Sequence, residues 1–390
     1  MNQLEEKIVA YAEQELPELF EMACDIFDHP ELGLQEFYSS KRLEDYLEEH
    51  GFFVERGIAG IETAFRATWE NGTDGPSIGF MLEYDALAGL GHGCAHHMQG
   101  PVCIGAAMAL REVLKDYPFK LVLYGTPDEE RGGGKITMVE AGCFRDVDLM
   151  LGHHAGQFTS SSYSYKALLP VHVVFHGTPS HASGSPELGR SALDAMMLAF
   201  HACEIMREHV KQGCRIHYTI REGTGPSNIV HEKAVCHITL RSPDKPYLED
   251  MYERLERIIN GACLMTDTTA DITPLKMYWN MLPIPSLIDE ILRRAKEIGA
   301  PHIKPAELKD GGSSDVGNVS WVVPTACVYS YFCDAGAHSE TWVSKGAAPE
   351  AEASILIGIK IAALTAYTYI TQPEKIRQLK EEHTLAMQAE

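Results

Sequence analysis

The chain has 390 residues, 45% of them hydrophobic and 23% charged, with a formal net charge of -22 at pH 7. Those proportions suit a globular protein, and the length favours two domains over one simple core. So large an acidic excess argues against nucleic acid and anionic membrane surfaces as partners, since both would repel it.

Met1 to Phe27 reads as an acidic helix, with Leu4, Ile8, Tyr11 and Leu16 at helical spacing. It lacks a basic leader and a cleavage site, so it is not read as a signal peptide. A second helix, Ser39 to His50, stops at Gly51. Thr63 to Trp69 and Ser77 to Leu82 read as strands on either side of a turn cluster at 71–76. Pro101 to Leu114 is a helix, Phe119 to Tyr124 a strand, Lys135 to Ala141 a short helix and Val147 to Leu151 a strand. This alternation predicts an α/β sheet with helices on both faces.

The middle changes texture. Leu168 to Phe175 is a strand, followed by a helix from Ala192 to Lys211, strands at Arg215 to Ile220 and Ala234 to Leu240, a helix from Tyr247 to Met265 and a strand near Ile272 to Trp279. The order β-α-β-β-α-β is that of a small split-βαβ domain. The α/β pattern then resumes. A helix from Pro285 to Ile298, a loop at Gly311-Gly312-Ser313-Ser314-Asp315, a strand from Thr325 to Phe332 and a long helix from Glu350 to Tyr369 complete it. The expected boundaries are residues 1–167 and 282–390 for a discontinuous catalytic domain and 168–281 for the insert. The polar tail after Gln372 is expected to be an exposed helix or a frayed end. No apolar run is expected to span a bilayer. Ten scattered cysteines favour reduced, buried thiols in a cytoplasmic protein.

Four strand candidates have metal-ligand chemistry just past their C-terminal ends. Ser77 to Leu82 leads through Glu83-Tyr84-Asp85 to Cys94-Ala95-His96-His97. Phe119 to Tyr124 leads to Glu129-Glu130, Val147 to Leu151 to His153-His154, and Thr325 to Phe332 to His338. Open α/β sheets gather their sites at that edge, and Cys, His and Glu converging there make a metal site. Taken singly, each has a bland reading: a structural cysteine beside a capping histidine, a solvated acidic loop, an exposed loop histidine. Adjacent glutamates in an extended loop point opposite ways, so one carboxylate suits the metal and the other can take a proton from water. One of the histidine doublet is expected to ligate. Asp85 can orient a histidine ligand, its bland reading being a turn residue. The Gly134-Lys135-Ile136 run lacks the Ser or Thr of a phosphate loop.

EYDALAGLGHGCAHH, GTPDEERGGGK, DLMLGHH, GTPSHASGSPELGRSALDA, GGSSDVGNVSWVVP and GAHSE, in that order, resemble the dinuclear-metal aminoacylase and carboxypeptidase family. The likeness is to its cysteine-ligand branch, the aminobenzoyl-glutamate, N-acyl amino acid and auxin-conjugate amidohydrolases. It runs from His29-Pro30-Glu31-Leu32-Gly33 to the last helices. The resemblance implies a zinc-peptidase-like α/β catalytic domain with an inserted ferredoxin-like α+β lid that serves in dimerisation. It implies two divalent ions per chain (Zn, Mn, Co or Ni) held by Cys94, His96, Glu130, His154 and His338. His154 is preferred because it lies six positions after Asp148. Glu129 is then the general base, His181 a lid residue that stabilises the tetrahedral intermediate, and Asn228 and Arg241 substrate-binding residues. The expected substrate is an N-acyl amino acid, an aminobenzoyl-glutamate-like conjugate or a dipeptide, and the expected assembly is a homodimer or higher homo-oligomer. A non-catalytic binding protein that kept the fold is the alternative of a different class. Relatives read Cys-Gly-His followed by Asn or Asp, where this chain has Ala95 and His97. His97 is therefore either a substrate-pocket residue or a prop for His96.

Overall fold

The computed structural model describes residues 1–162, 164–223, 225–305 and 312–389. Gly311 of the predicted glycine loop lies outside the described residues. In chain order the elements are α1 (Gln3–Asp28), α2 (Phe37–Glu49), β1 (Phe53–Arg56), β2 (Phe65–Asn71), β3 (Ser77–Leu82), α3 (Gln99–Val113), β4 (Phe119–Gly125), α4 (Gly134–Glu140), β5 (Leu149–Gly156) and β6 (Ser160–Ser161). Then come β7 (Ala167–His176), α5 (Ala192–Arg207), β8 (Arg215–Glu222), β9 (Lys233–Ser242), α6 (Lys245–Thr266) and β10 (Thr269–Pro274). The last are α7 (Pro285–Glu297), α8 (Val316–Ser320), β11 (Thr325–Tyr331), α9 (Glu340–Val343), α10 (Pro349–Thr371) and α11 (Glu374–Ala389).

Packing divides the chain into two compact units. The larger takes Met1–Ser164, Met281–Lys309 and Asn318–Ala389; the smaller takes Tyr165–Asn280 and Asp310–Gly317. The larger unit holds a seven-stranded sheet in the order β1-β2-β4-β3-β5-β11-β6. Its centre, β4, β3, β5 and β11, is parallel, and β1, β2 and β6 run antiparallel. All six residues of β3 are buried, as a central parallel strand covered on both faces requires. Parallel strands place all their C-terminal ends on one edge, and that arrangement positions the site described below.

α1 starts at a reciprocal cap in which the Asn2 side chain accepts from the N–H groups of Leu4 and Glu5 while Glu5 accepts from Asn2 N–H. Ile8, Ala12, Leu19, Met22, Ala23 and Ile26 form its buried stripe. α10 is buried through most of its length and joins α1 and α3 in one core. It corrects the expectation that no segment could span a bilayer: its 23 residues are long and apolar enough, with a mean hydropathy of 1.6. That window is 78% buried within the fold, which a core helix explains. The tail is an ordered helix, α11, docked through Ile376, Leu379 and His383, whose ring is hydrogen-bonded to the Ser320 carbonyl at 2.6 Å. Among the described residues no two of the ten cysteines form a disulfide.

The smaller unit has the β-α-β-β-α-β order, with an antiparallel sheet β10-β7-β9-β8. Its core is the inward face of β7 and β9 against α5 and α6. β10 stops at Pro274, short of the predicted Trp279, because proline has no N–H to extend an edge ladder. Tyr278 rejoins β7 through a single bridge to Leu168.

Candidate metal centre

The site of the larger unit lies where β3, β4, β5 and β11 end. β3 passes directly into Glu83 and Asp85, both 1% exposed. The chain then folds back through Cys94 to a short helical turn at His96–Met98 that opens α3. Ala95 takes φ +59 and ψ 31, a left-handed conformation that glycine adopts without penalty and alanine does not.

Asp85 secures two neighbours at once. Its Oδ1 accepts from His96 Nδ1 at 2.9 Å, and its Oδ2 accepts from the Glu130 N–H at 2.9 Å. With Nδ1 occupied, His96 turns Nε2 inward, 3.1 Å from Glu83 Oε2. That nitrogen has no hydrogen bond. Burial disfavours a charged His96, but Glu83 and Asp85 outweigh it and raise its pKa well above the usual imidazole value.

Past β4 the chain forms a turn, with Asp128 at φ +62. The expectation of an extended loop with oppositely directed glutamates is therefore corrected: His96, Glu129 and Glu130 bring ligand atoms within 4.8 Å of one another. Glycine is required around this turn. A Cβ on Gly33 would meet Asp128 Oδ1 at 2.0 Å, and one on Gly132 would meet Oδ2 at 1.9 Å. Glu36 supports the same turn by accepting from Asp128 N–H at 2.9 Å. Glu31, in the same early motif, instead accepts from the Tyr38 and Ser39 N–H groups that start α2.

Cys94, Glu130 and His338 form a second group with ligand atoms within 4.8 Å of one another. Cys94 Sγ is 2.7 Å from His338 Nε2, and Glu130 Oε1, buried without a hydrogen bond, is 3.8 Å from the same nitrogen. His338 is held by its own N–H donating to the Gly93 carbonyl at 2.9 Å. Burial, with a contribution from Glu130, pushes the Cys94 thiol up to about 12 despite His96 beside it.

The histidine doublet lies inside β5 rather than beyond it, because the strand runs on to Gly156. Strand alternation separates the two rings. His153 bonds to Ser330 Oγ at 2.7 Å in the core. His154 faces the site with Nε2 3.6 Å from Glu83 Oε2, its pKa lowered to about 4 by burial, with His96 adding to the fall and Glu83 opposing it.

Glu83, His96 and His154 make a third group within ligand reach. Glu83 was not among the candidates read from the sequence, although it follows β3 as directly as the others follow their strands. Lys135, read only as the residue that fails a phosphate loop, pairs with Glu83 Oε1 at 2.6 Å and is fully buried. Gln99 donates to Glu83 Oε2 at 2.7 Å and accepts from Glu83 N–H at 3.1 Å, and its Nε2 is 3.3 Å from His154 Nδ1. Burial opposes ionisation of Glu83, but Lys135, His96 and His154 together hold its carboxyl below the ordinary range.

His97 is fully buried. Its Nε2 is 2.9 Å from the Gly346 carbonyl, and its ring packs 5.0 Å from both Phe27 and His92. Burial, with His92 adding repulsion, lowers its pKa well below the usual value. With no surface open to solvent, it is placed as a prop beneath the loop rather than as a wall of a substrate pocket.

The smaller unit carries the remaining predicted residues. His181 Nδ1 accepts from Gly184 N–H at 3.0 Å and Ser183 N–H at 3.3 Å, so a neutral ring carries its proton on Nε2. Asn228 is the exposed neighbour of that segment, its carbonyl accepting from Ala182 N–H at 2.9 Å. Arg241 lies on β9, half-buried, and donates to Ser313 Oγ at 2.8 Å.

The donor set fits divalent metal. Two buried acceptors, His96 Nε2 and Glu130 Oε1, have no hydrogen bond, and leaving such atoms unpaired costs about 1–3 kcal/mol each. Thiolate, imidazole and carboxylate are what a borderline-soft cation such as zinc binds.

Residues 79–367 match Peptidase family M20/M25/M40. The chain is 31% identical to the Xaa-Arg dipeptidase of Homo sapiens over 387 residues, covering 94% of this chain and 88% of that protein. It is 30% identical to a p-aminobenzoyl-glutamate hydrolase of Escherichia coli (strain K12) over 441 residues, covering 93% of this chain and 91% of that protein. Among solved structures, a dinuclear metal binding peptidase of Bacillus subtilis superposes with a TM-score of 0.65 at 18% identity, covering 88% of this chain and 98% of that one.

Proposed function

The chain belongs to Peptidase family M20/M25/M40, and on that premise we propose that it hydrolyses the amide bond of a small N-acyl amino acid or dipeptide with two divalent metal ions. The observation that carries the reading is the convergence of Cys94, Glu130 and His338 beside His96 and His154 at one sheet edge. In this reading Cys94, Glu130 and His338 would hold one ion and His96 and His154 the other. Bound ions supply Lewis acidity, which polarises the amide carbonyl and makes water a stronger acid.

The chain's own residues do the rest. Glu129, within reach of His96 and Glu130, accepts a proton from the attacking water and returns it to the leaving amine. Asp85 keeps His96 in the tautomer that turns Nε2 toward the site. His181 is assigned donation from Nε2–H to the developing oxyanion. Arg241 and Asn228 are assigned to a substrate carboxylate, which a guanidinium and an amide can hold.

Two substrate classes stay within the proposal, because the chain is about equally similar to a dipeptidase and to an aminobenzoyl-glutamate hydrolase. A panel of N-acyl amino acids, p-aminobenzoyl-glutamate and Xaa-Arg dipeptides separates them. Chelation should abolish turnover, and Zn, Mn, Co or Ni should restore it. Full turnover in protein shown to be metal-free would end the reading. A cytoplasmic location and a homodimer or higher homo-oligomer belong to the same proposal; fractionation and sedimentation test them.

A further inference from the structure

We infer that Glu83 is a third ligand to the ion held by His96 and His154, with buried Lys135 balancing its charge. The inference rests on the metal-dependent reading above. It is carried by how the hydrogen bonds dispose two acceptors. His96 Nδ1 is committed to Asp85 at 2.9 Å, so the neutral ring directs the lone pair of Nε2 inward. What faces that lone pair, 3.1 Å away, is Glu83 Oε2. Two acceptors brought that close in a buried place need a cation between or beside them. His154 Nε2 is 3.6 Å from the same oxygen. Two imidazoles and a carboxylate make a ligand set used for catalytic zinc, with a position left open.

A plain structural ion pair between Glu83 and Lys135 does not account for this. Lys135 engages Oε1 at 2.6 Å, so Oε2 is left on the imidazole side. Gln99 fixes the carboxylate from two directions, donating to Oε2 at 2.7 Å and accepting from the Glu83 N–H at 3.1 Å. A carboxylate oxygen can accept from that amide and still offer a second lone pair. The consequence is that the His96 and His154 centre has its own anionic ligand and does not depend on the Cys94 thiolate to take up metal.

The test is metal stoichiometry. Apo-protein is loaded with Co(II) alone, and bound cobalt per chain is measured by elemental analysis together with the visible spectrum. Wild type should take up two ions, one with a thiolate charge-transfer band. Cys94→Ser should lose that band and keep one ion. Glu83→Gln should keep the band and either lose one ion or bind it at least tenfold more weakly, the lower end for a displaced metal-site partner. Because Glu83→Gln leaves Lys135 buried without its carboxylate, the double variant Glu83→Gln/Lys135→Met is run beside it, with circular dichroism as the fold control. Two ions at wild-type affinity in either folded variant would overturn the inference while leaving the metal-dependent reading intact. No cobalt bound by wild type would instead remove that reading.

Discussion

Glu36 ties the stability of the larger unit to pH. Its side chain is fully buried and accepts from the Thr63 hydroxyl at 3.0 Å and the Asp128 N–H at 2.9 Å. Burial, with repulsion from Asp85, pushes its carboxyl from the ordinary 4.5 up to about 7, since those two bonds recover only part of the lost hydration. Below about 4.5 the residue is protonated in both folded and unfolded chains, and between there and about 7 only the folded chain keeps the proton. The stabilisation is therefore complete at the acid end and is lost as pH rises to the folded value. At about 1.4 kcal/mol per pH unit, the loss across that interval comes to about 3 kcal/mol. Glu36→Gln removes the titration and keeps the contacts: its amide oxygen can accept from Asp128 N–H, and its NH2 can donate to the Thr63 hydroxyl, which can turn. Urea unfolding of both proteins from about pH 5 to about pH 8 gives a difference in which the other titrating groups cancel. Wild type should lose most of about 3 kcal/mol relative to the variant over that range. A difference that stays flat, or that grows in favour of wild type with rising pH, would refute burial as the controlling term.

Replacing the proposed proton acceptor by Glu129→Gln should lower turnover on the order of a hundredfold or more with metal content unchanged; loss of metal from this variant and retention in Glu130→Gln would reverse the two roles. Ala95→Gly relieves a left-handed alanine at φ +59, whose strain of about 1–2 kcal/mol exceeds the added chain entropy of glycine, so thermal unfolding should show a gain of up to about 1 kcal/mol. A clear loss instead would mean that the buried Ala95 methyl contributes more through packing than its backbone costs. His97→Asn removes the Gly346 bond and the packing against Phe27 and His92, so stability should fall by about 1–3 kcal/mol and rates should shift evenly over the substrate panel. A changed order of substrate preference would return His97 to the substrate pocket.

Much of this protein was legible in its sequence. The alternation of helix and strand, the β-α-β-β-α-β middle segment and the family motifs led to the observed fold class and to hydrolysis of an amide bond. Period-two and period-3.6 burial are local consequences of backbone geometry, so they survive in the linear pattern. The edge carrying the site was equally readable, since parallel strands put every C-terminal end on one side. Tertiary structure alone decided which side chains meet there. The orientation of His153 and His154 depended on β5 continuing to Gly156, and the closeness of Glu129 and Glu130 depended on a tight turn packed against Gly33, nearly a hundred positions earlier. Glu83 and Lys135 were read as a turn acid and a failed phosphate-loop lysine because each looks ordinary beside its neighbours in sequence. Only burial together makes them a pair, because a charge removed from water must find its partner across the fold, and no local pattern records where that partner is.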